Sequence, residues 1–237
     1  MTLPEHPAGP ASCEPALDWT RSPEVLRLGP QALLLQGFAI AAAPSLMIGL
    51  ERVIALAPFR HMTTPGGSTM SVALTNCGSL GWTSDRHGYR YTERDPCSGR
   101  PWPRMPTGLA ALAGEAAARA GFHGFLPDAC LVNRYLPGAR LSMHQDRDER
   151  DFDAPIVSVS LGLPATFLFG GMTRGERPAR IRLCHGDVVV WGGVDRLRYH
   201  GVAPLPAPRQ AAPDLFAPDP SASPWRERIN LTLRKAG

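Results

Sequence analysis

Cysteine is scarce in this sequence and forms no pattern. Cys13, Cys77, Cys97, Cys130 and Cys184 are odd in number, scattered, and contain no C-x-x-C. That argues against a disulfide framework or a zinc site and for a reducing compartment. Cys130 and Cys184 lie in apolar runs and read as core residues. Long apolar runs are missing too: the Ala32–Ala43 stretch falls short of the roughly 20 residues a membrane helix needs. The start of the chain carries Pro4, Glu5, Pro7, Pro10 and Pro15, not a basic segment followed by an apolar one, so no targeting signal is visible. No segment repeats. The expectation is a soluble, cytoplasmic protein with no membrane partner and no obligate oligomeric interface, hence a monomer.

The 237 residues suffice for one substantial domain with a real core. The net charge of +4 favours a polyanionic partner without proving one. Residues 1–24, rich in proline and alanine, read as a poorly ordered tail, and 25–237 as a single domain. Gln31–Ile40 reads as a first strand. Pro44–Ala57 carries Leu46, Met47, Leu50, Val53 and Ile54 at helical spacing. A strand over Thr69–Asn76 follows. Gly78–Pro106 has no helical period and gathers Trp82, Arg86, His87, Tyr89, Tyr91 and Trp102, as a lid or binding loop does. Aromatics interleaved with arginines suit single-stranded nucleic acid, and suit equally a small core beneath a long loop. Thr107–Gly121 reads as a second helix with Thr107 as its N-cap. From Ala129 onwards short strand-like runs alternate with Pro-Gly, Gly-Gly and His-Gly turns, the pattern of an all-β sandwich or barrel. Ala203–Trp225, with seven prolines, reads as a loop between two strands.

The chain is organised around LVNRYLPGARLSMHQDRDE, Leu131–Glu149. Side chains alternate along a strand, so His144 and Asp146 project together and Gln145 opposes them. An H-x-D pair alone is common and usually an ordinary surface couple. With a second histidine it becomes a two-histidine, one-carboxylate triad, which leaves three positions open on a divalent metal such as Fe(II). His200 opens a strand in the β-rich half and can supply it; His185 competes but sits in a His-Gly turn. In Arg228–Arg234, alternation puts Arg228, Asn230, Thr232 and Arg234 on one face and Ile229, Leu231 and Leu233 on the other. Two arginines inside a small barrel are costly unless they meet anions, and a dicarboxylate satisfies both. An ordinary solvated face is the alternative. Asn133 and Tyr135 likewise point one way from an apolar strand.

These residues, with TPGGSTMSVALTNCG, LGWTSDRHGYRY, APIVSVSLGLPATFLFGG, HGDVVVWGG and NLTLR, resemble the bacterial AlkB-type oxidative nucleic-acid demethylases over about Phe38 to Arg234. The resemblance implies an α+β, mainly β fold: a double-stranded β-helix, or jelly roll, over about 128–237, with N-terminal helices, a nucleotide-recognition lid over about 62–106 and a Pro-rich loop over 203–227. It implies Fe(II) held by His144, Asp146 and His200, with 2-oxoglutarate and O2 as cosubstrates. Asn133, Tyr135, Arg228, Asn230 and Arg234 align with the 2-oxoglutarate pocket, Arg228 at the far carboxylate and Arg234 near the metal. Trp82, Tyr89, Asp148 and Arg174 match contacts to the damaged nucleotide. The implied reaction demethylates 1-methyladenine or 3-methylcytosine, in single-stranded DNA first, with duplex DNA and RNA as alternatives, and releases succinate, CO2 and formaldehyde. Ser68 and Asp85 depart from the family pattern, which bears on nucleic-acid affinity. An oxygenase acting on a protein or small molecule, a silent nucleic-acid-binding barrel and a cupin-like sugar-binding module are the rival readings.

Overall fold

In the computed structural model the described residues are 24–206 and 226–237. The proline-rich start and most of the Pro-rich loop lie outside them. Fourteen strands are described, β1 Val25–Gly29, β2 Ala32–Leu35, β3 Arg60–Thr63, β4 Thr69–Gly78, β5 Gly81–Asp85, β6 Gly88–Thr92, β7 Ala129–Tyr135, β8 Leu141–His144, β9 Ile156–Gly162, β10 Ala165–Phe169, β11 Ala179–Leu183, β12 Val188–Trp191, β13 His200–Val202 and β14 Arg228–Arg234. The helices are α1, Ala43–Leu56, and α2, Thr107–Arg119.

Eight strands form one sheet in the order β1-β2-β12-β9-β14-β7-β4-β3, and four form a second in the order β11-β10-β13-β8. The ladders are antiparallel. Period-two alternation decides what fills each side of the large sheet. One face sends Leu34, Leu74, Leu131, Tyr135, Ile156 and Trp191 toward Phe167, Phe169, Leu183 and Val202 of the small sheet. The other sends Val132, Val157, Val159, Val188, Leu231 and Leu233 against Leu46, Leu50, Val53, Leu109, Leu112 and Ala116 of the helices. This is the two-sheet jelly roll with helices behind it that the family resemblance implies.

β14 is the hinge of the design. It lies between β9 and β7, paired along its whole length on the β7 side. Its apolar residues sit in the helix-side core, and its polar residues Arg228, Asn230, Thr232 and Arg234 line the space between the sheets. The alternation read from NLTLR therefore holds residue by residue.

Four local expectations are corrected. Gln31–Ile40 is not one strand: β1 and β2 make a hairpin, and residues 36–42 turn away into α1. Gly78–Pro106 is not wholly irregular, because β5 and β6 pair as a hairpin of their own. Asp85 closes its turn by accepting from the His87 N–H at 2.8 Å and from Arg90 at 3.0 and 2.5 Å. Thr107 does not cap α2: it is the first helical residue, and Pro106 takes the cap position without a side-chain bond. Cys130 is fully buried, as expected, but Cys184 is only partly so.

Leu231 is fully buried between the sheet and the helices, whereas Leu56, on the same apolar run as the α1 core residues, is 66% exposed. Leu231→Ala should cost about 2–5 kcal/mol in urea unfolding, through lost transfer energy and a cavity. Leu56→Ala should stay within about 0.5 kcal/mol.

Candidate active site

A cavity of about 720 Å³ opens between the two sheets, under the β5–β6 hairpin. At its wall β8 and β13 pair so that His200 stands directly opposite His144. Their rings lie 4.4 Å apart between centroids. Asp146 falls two residues beyond the end of β8, so its placement is not a consequence of strand pleating as the sequence suggests. It nonetheless turns back to the histidines: His144 Nε2 is 3.5 Å from Asp146 Oδ1, and His200 Nε2 is 3.8 Å from Oδ2. One ligand atom from each of the three residues lies within 4.8 Å of the others, the only such group of three or more among the described residues. Gln145 spends its amide on the Leu197 carbonyl at 2.6 Å. His185, the rival histidine, accepts the Gly162 N–H at its turn.

The imidazoles are oriented for ligation. His144 Nδ1 lies 2.8 Å from the Ser142 carbonyl, and His200 Nδ1 lies 3.1 Å from the Arg198 carbonyl. A carbonyl oxygen only accepts, so each Nδ1 carries the proton and each Nε2 presents a bare lone pair toward Asp146. Burial, and then the neighbouring His144, push His200 down to about 4, so at neutral pH it is an uncharged ligand. Burial works against ionising Asp146, yet Arg234, with His200 and His144, holds its carboxyl well below the usual range. Two imidazoles and one carboxylate fit Fe(II) with open positions.

Arg234 donates to Asp146 Oδ2 from Nε at 2.9 Å and from Nη2 at 2.6 Å. That occupies Oδ2, the oxygen nearer His200, and leaves Oδ1 toward His144. Arg228, at the other end of β14, behaves differently. It is 1% exposed, and Nη2 donates to Ser160 Oγ at 2.8 Å, but Nε and Nη1 have no partner among the described residues. Burial lowers it to about 10, so it stays a cation at neutral pH. A buried guanidinium with two idle donors is expensive, and a carboxylate entering the cavity supplies the missing acceptors. Tyr135, pushed up to about 12 by burial, remains a neutral phenol there. Asn133 Oδ1 also lacks a partner. Asn230 is already committed: its amide donates to Ser158 Oγ and the Val159 carbonyl, and its oxygen accepts from Thr232.

At the mouth, Trp82 and Tyr89 stack with centroids 5.4 Å apart and planes 16° from parallel. Trp82 Nε1 donates to Asp148 Oδ2 at 2.8 Å, and Arg174 donates to the Met143 carbonyl at 2.8 Å. All four residues line the cavity, so the fold brings together every site residue singled out from sequence. Sequence reasoning passes over Glu149 and Arg196, whose side chains are 2% and 3% exposed. Both stand in polar runs that read as surface; the density of charge in QDRDER is the only signal for Glu149, and that in DRLR the only one for Arg196.

The burial of neutral His200 has a pH signature. Its folded value, about 4, lies below the ordinary 6.5, so the unfolded chain binds the proton more readily and stability rises with pH between those values. Metal-free protein should therefore lose about 3 kcal/mol as pH falls from 6.5 to 4. Unfolding midpoints measured across that window should show a flatter profile for His200→Asn.

Residues 31–234 match the 2OG-Fe(II) oxygenase superfamily. The alpha-ketoglutarate-dependent dioxygenase AlkB of Salmonella typhimurium is 54% identical over 209 residues, covering 88% of this chain and 92% of that protein. The human nucleic acid dioxygenase ALKBH1 is 33% identical over 183 residues, covering 66% of this chain and 46% of that protein. The solved structure of OsALKBH1 superposes with a TM-score of 0.73 at 25% identity, covering 90% of this chain and all of that one. Sequence match and cavity chemistry agree: the chain belongs to the 2OG-Fe(II) oxygenase superfamily and is an AlkB-like dioxygenase that uses Fe(II), 2-oxoglutarate and O2.

Proposed function

We propose that this enzyme oxidatively demethylates N-alkylated bases in nucleic acid, 1-methyladenine and 3-methylcytosine among them. The observation that carries the reading is one cavity holding three things: the convergent His144–Asp146–His200 triad, a buried Arg228 with idle donors, and an aromatic pair at the mouth. The named activity of ALKBH1 and the chain's net charge of +4 point to the same substrate class.

His144, Asp146 and His200 would hold Fe(II), and Arg228 with Tyr135 and Asn133 would hold the far carboxylate of 2-oxoglutarate. When bound, Fe(II), 2-oxoglutarate and O2 supply the oxidation of the N-methyl carbon, with succinate and CO2 as coproducts and formaldehyde lost from the base. The chain's own work is positioning. Arg234 keeps Asp146 ionised and, by holding Oδ2, would leave Oδ1 free for a metal. Asn230, tied to Ser158 and Thr232, holds the cavity wall rigid beneath the cosubstrate. The Trp82–Tyr89 stack offers a π face to a flipped base, and a cationic methylated ring gains about 0.5–2 kcal/mol from such a face. Asp148 adds a carboxylate beside that ring, screened by its exposure. Arg174 lies at the same mouth.

Single-stranded DNA is the first substrate in this reading, because a base already free of its partner costs least to extrude. The enzyme acts as a monomer in the cytoplasm, as one domain with residues 62–106 as its lid. Among the described residues no helix is long and apolar enough to cross a membrane. A protein or small-molecule substrate is the rival, and it leaves the aromatic mouth without a role.

A single-stranded oligonucleotide carrying one 1-methyladenine, incubated with protein, Fe(II), 2-oxoglutarate and air, should lose one methylene by mass spectrometry with a matching amount of succinate. His144→Ala should abolish both signals. Succinate without any change in the oligonucleotide would transfer the activity to the rival substrates. Asp148→Ala should weaken the preference for cationic over neutral lesions more than it lowers turnover; equal losses on both lesion types would remove Asp148 from base selection.

A further inference from the structure

The β5–β6 hairpin is tied to the segment after β8 at two points. Trp82 and Tyr91 stand directly opposite each other in the hairpin register. Opposed residues leave a sheet on the same face, so both side chains reach the same neighbour. Their polar tips grip consecutive carboxylates. Trp82 Nε1 donates to Asp148 Oδ2 at 2.8 Å, and Tyr91 Oη donates to Glu149 Oε1 at 2.6 Å.

The two carboxylates have different surroundings. Asp148 is exposed and lines the cavity. Glu149 is buried in a cluster of charge: Arg196 Nη2 donates to its Oε2 at 3.0 Å, and Arg234 Nε lies 3.3 Å from its Oε1. Arg234 is the same guanidinium that holds Asp146 Oδ2. Arg196 also donates to the carbonyls of Asp146 at 2.7 Å and Ala154 at 3.2 Å, and so pins the segment near both of its ends. A continuous path of hydrogen bonds and ion pairs thus runs from the Tyr91 phenol to the carboxylate of the triad, through Glu149 to Arg234 and, more weakly, from Arg234 Nη1 to the phenol directly at 3.5 Å. Two carboxylates and two guanidiniums offset one another here, which makes the burial of all four tolerable.

We infer that Tyr91 is a positioning residue that couples the aromatic hairpin to the metal-binding carboxylate through Glu149 and Arg234, while the Trp82–Asp148 tie is separable and answers to the base. The inference rests on the assignment of Asp146 as a metal ligand. Its physical basis is a shared cation. Arg234 divides its attraction between Asp146 and Glu149, and a divalent cation on Asp146 draws on the same carboxylate charge. The balance then shifts toward Glu149, where Tyr91 is bound. Coupling of this kind is reciprocal: what the metal does to the hairpin, the hairpin does to metal affinity.

The test is amide hydrogen exchange of peptides covering residues 81–92 in the full chain, without metal and with Co(II), in the absence of any substrate. Co(II) should change exchange in the wild-type hairpin by about fivefold, the lower end of ordinary coupling energies. Tyr91→Phe, which loses only a hydroxyl, should abolish that response and shift Co(II) affinity by a similar factor, with exchange in β9 unaltered. Glu149→Gln should do the same, and Trp82→Phe should retain the response. An intact response in Tyr91→Phe, or its loss in Trp82→Phe as well, overturns the inference. Wild-type protein that binds Co(II) with no change in the hairpin overturns the coupling and leaves the metal assignment standing. Failure to bind Co(II) at all overturns the metal assignment, and the coupling with it.

Discussion

The ion pair between Asp146 and Arg234 is the constraint on which the site depends. The two residues are 88 positions apart in sequence and meet inside the protein, each with a side chain no more than 7% exposed. Alone, either charge would be expelled or neutralised by burial. Together they place Oδ2 of Asp146 firmly on the guanidinium and leave Oδ1 toward His144. The pair therefore sets the protonation, the orientation and the free valence of the carboxylate at once. It also joins the end of the β8 segment to β14, the strand that organises the large sheet.

β14 can serve this role because of where it lies. Flanked by β9 and β7, it is held by ladders on both sides, and its backbone cannot shift without breaking them. Its leucines and isoleucine are anchored in the core behind the sheet, and its arginines face the cavity from opposite ends of the strand. The two arginines are thereby given different tasks. Arg234 is held by two protein carboxylates; Arg228 is buried with donors that meet no acceptor among the described residues. Such an asymmetry suits a dicarboxylate, because a fixed cation with free donors can receive one of its ends.

The mouth of the cavity is built from lighter parts. The β5–β6 hairpin is a two-stranded sheet of its own, and such a ribbon is marginal without outside support. Its support comes from side chains: Trp82 on Asp148, Tyr91 on Glu149, Ser84 on the Thr63 carbonyl, and the Asn76 amide bonded both ways to the Trp82 backbone. A hairpin held by a few polar ties, over a core held by full ladders, is the less stable part of the fold.

Much of this was legible beforehand, and the reasons are physical. Strand pleating has a period of two, so RINLTLR by itself determined which residues of β14 face the cavity. Pro-Gly and His-Gly turns marked where strands end, and helical spacing marked α1. His144 and Asp146 could be named from their local spacing, although Asp146 owes its position to Arg234 more than to strand alternation. What no local pattern contains is pairing between distant segments. Only the tertiary structure decided that His200 and not His185 stands opposite His144, because that depends on the β13–β8 register. It also gave the physical difference between Arg228 and Arg234, identical in type and face, through the carboxylates that reach one and not the other. Only it turned Glu149 and Arg196, from two separate and apparently solvated charge runs, into a buried pair, since burial is a property of what packs above a residue, and the sequence around it does not state that.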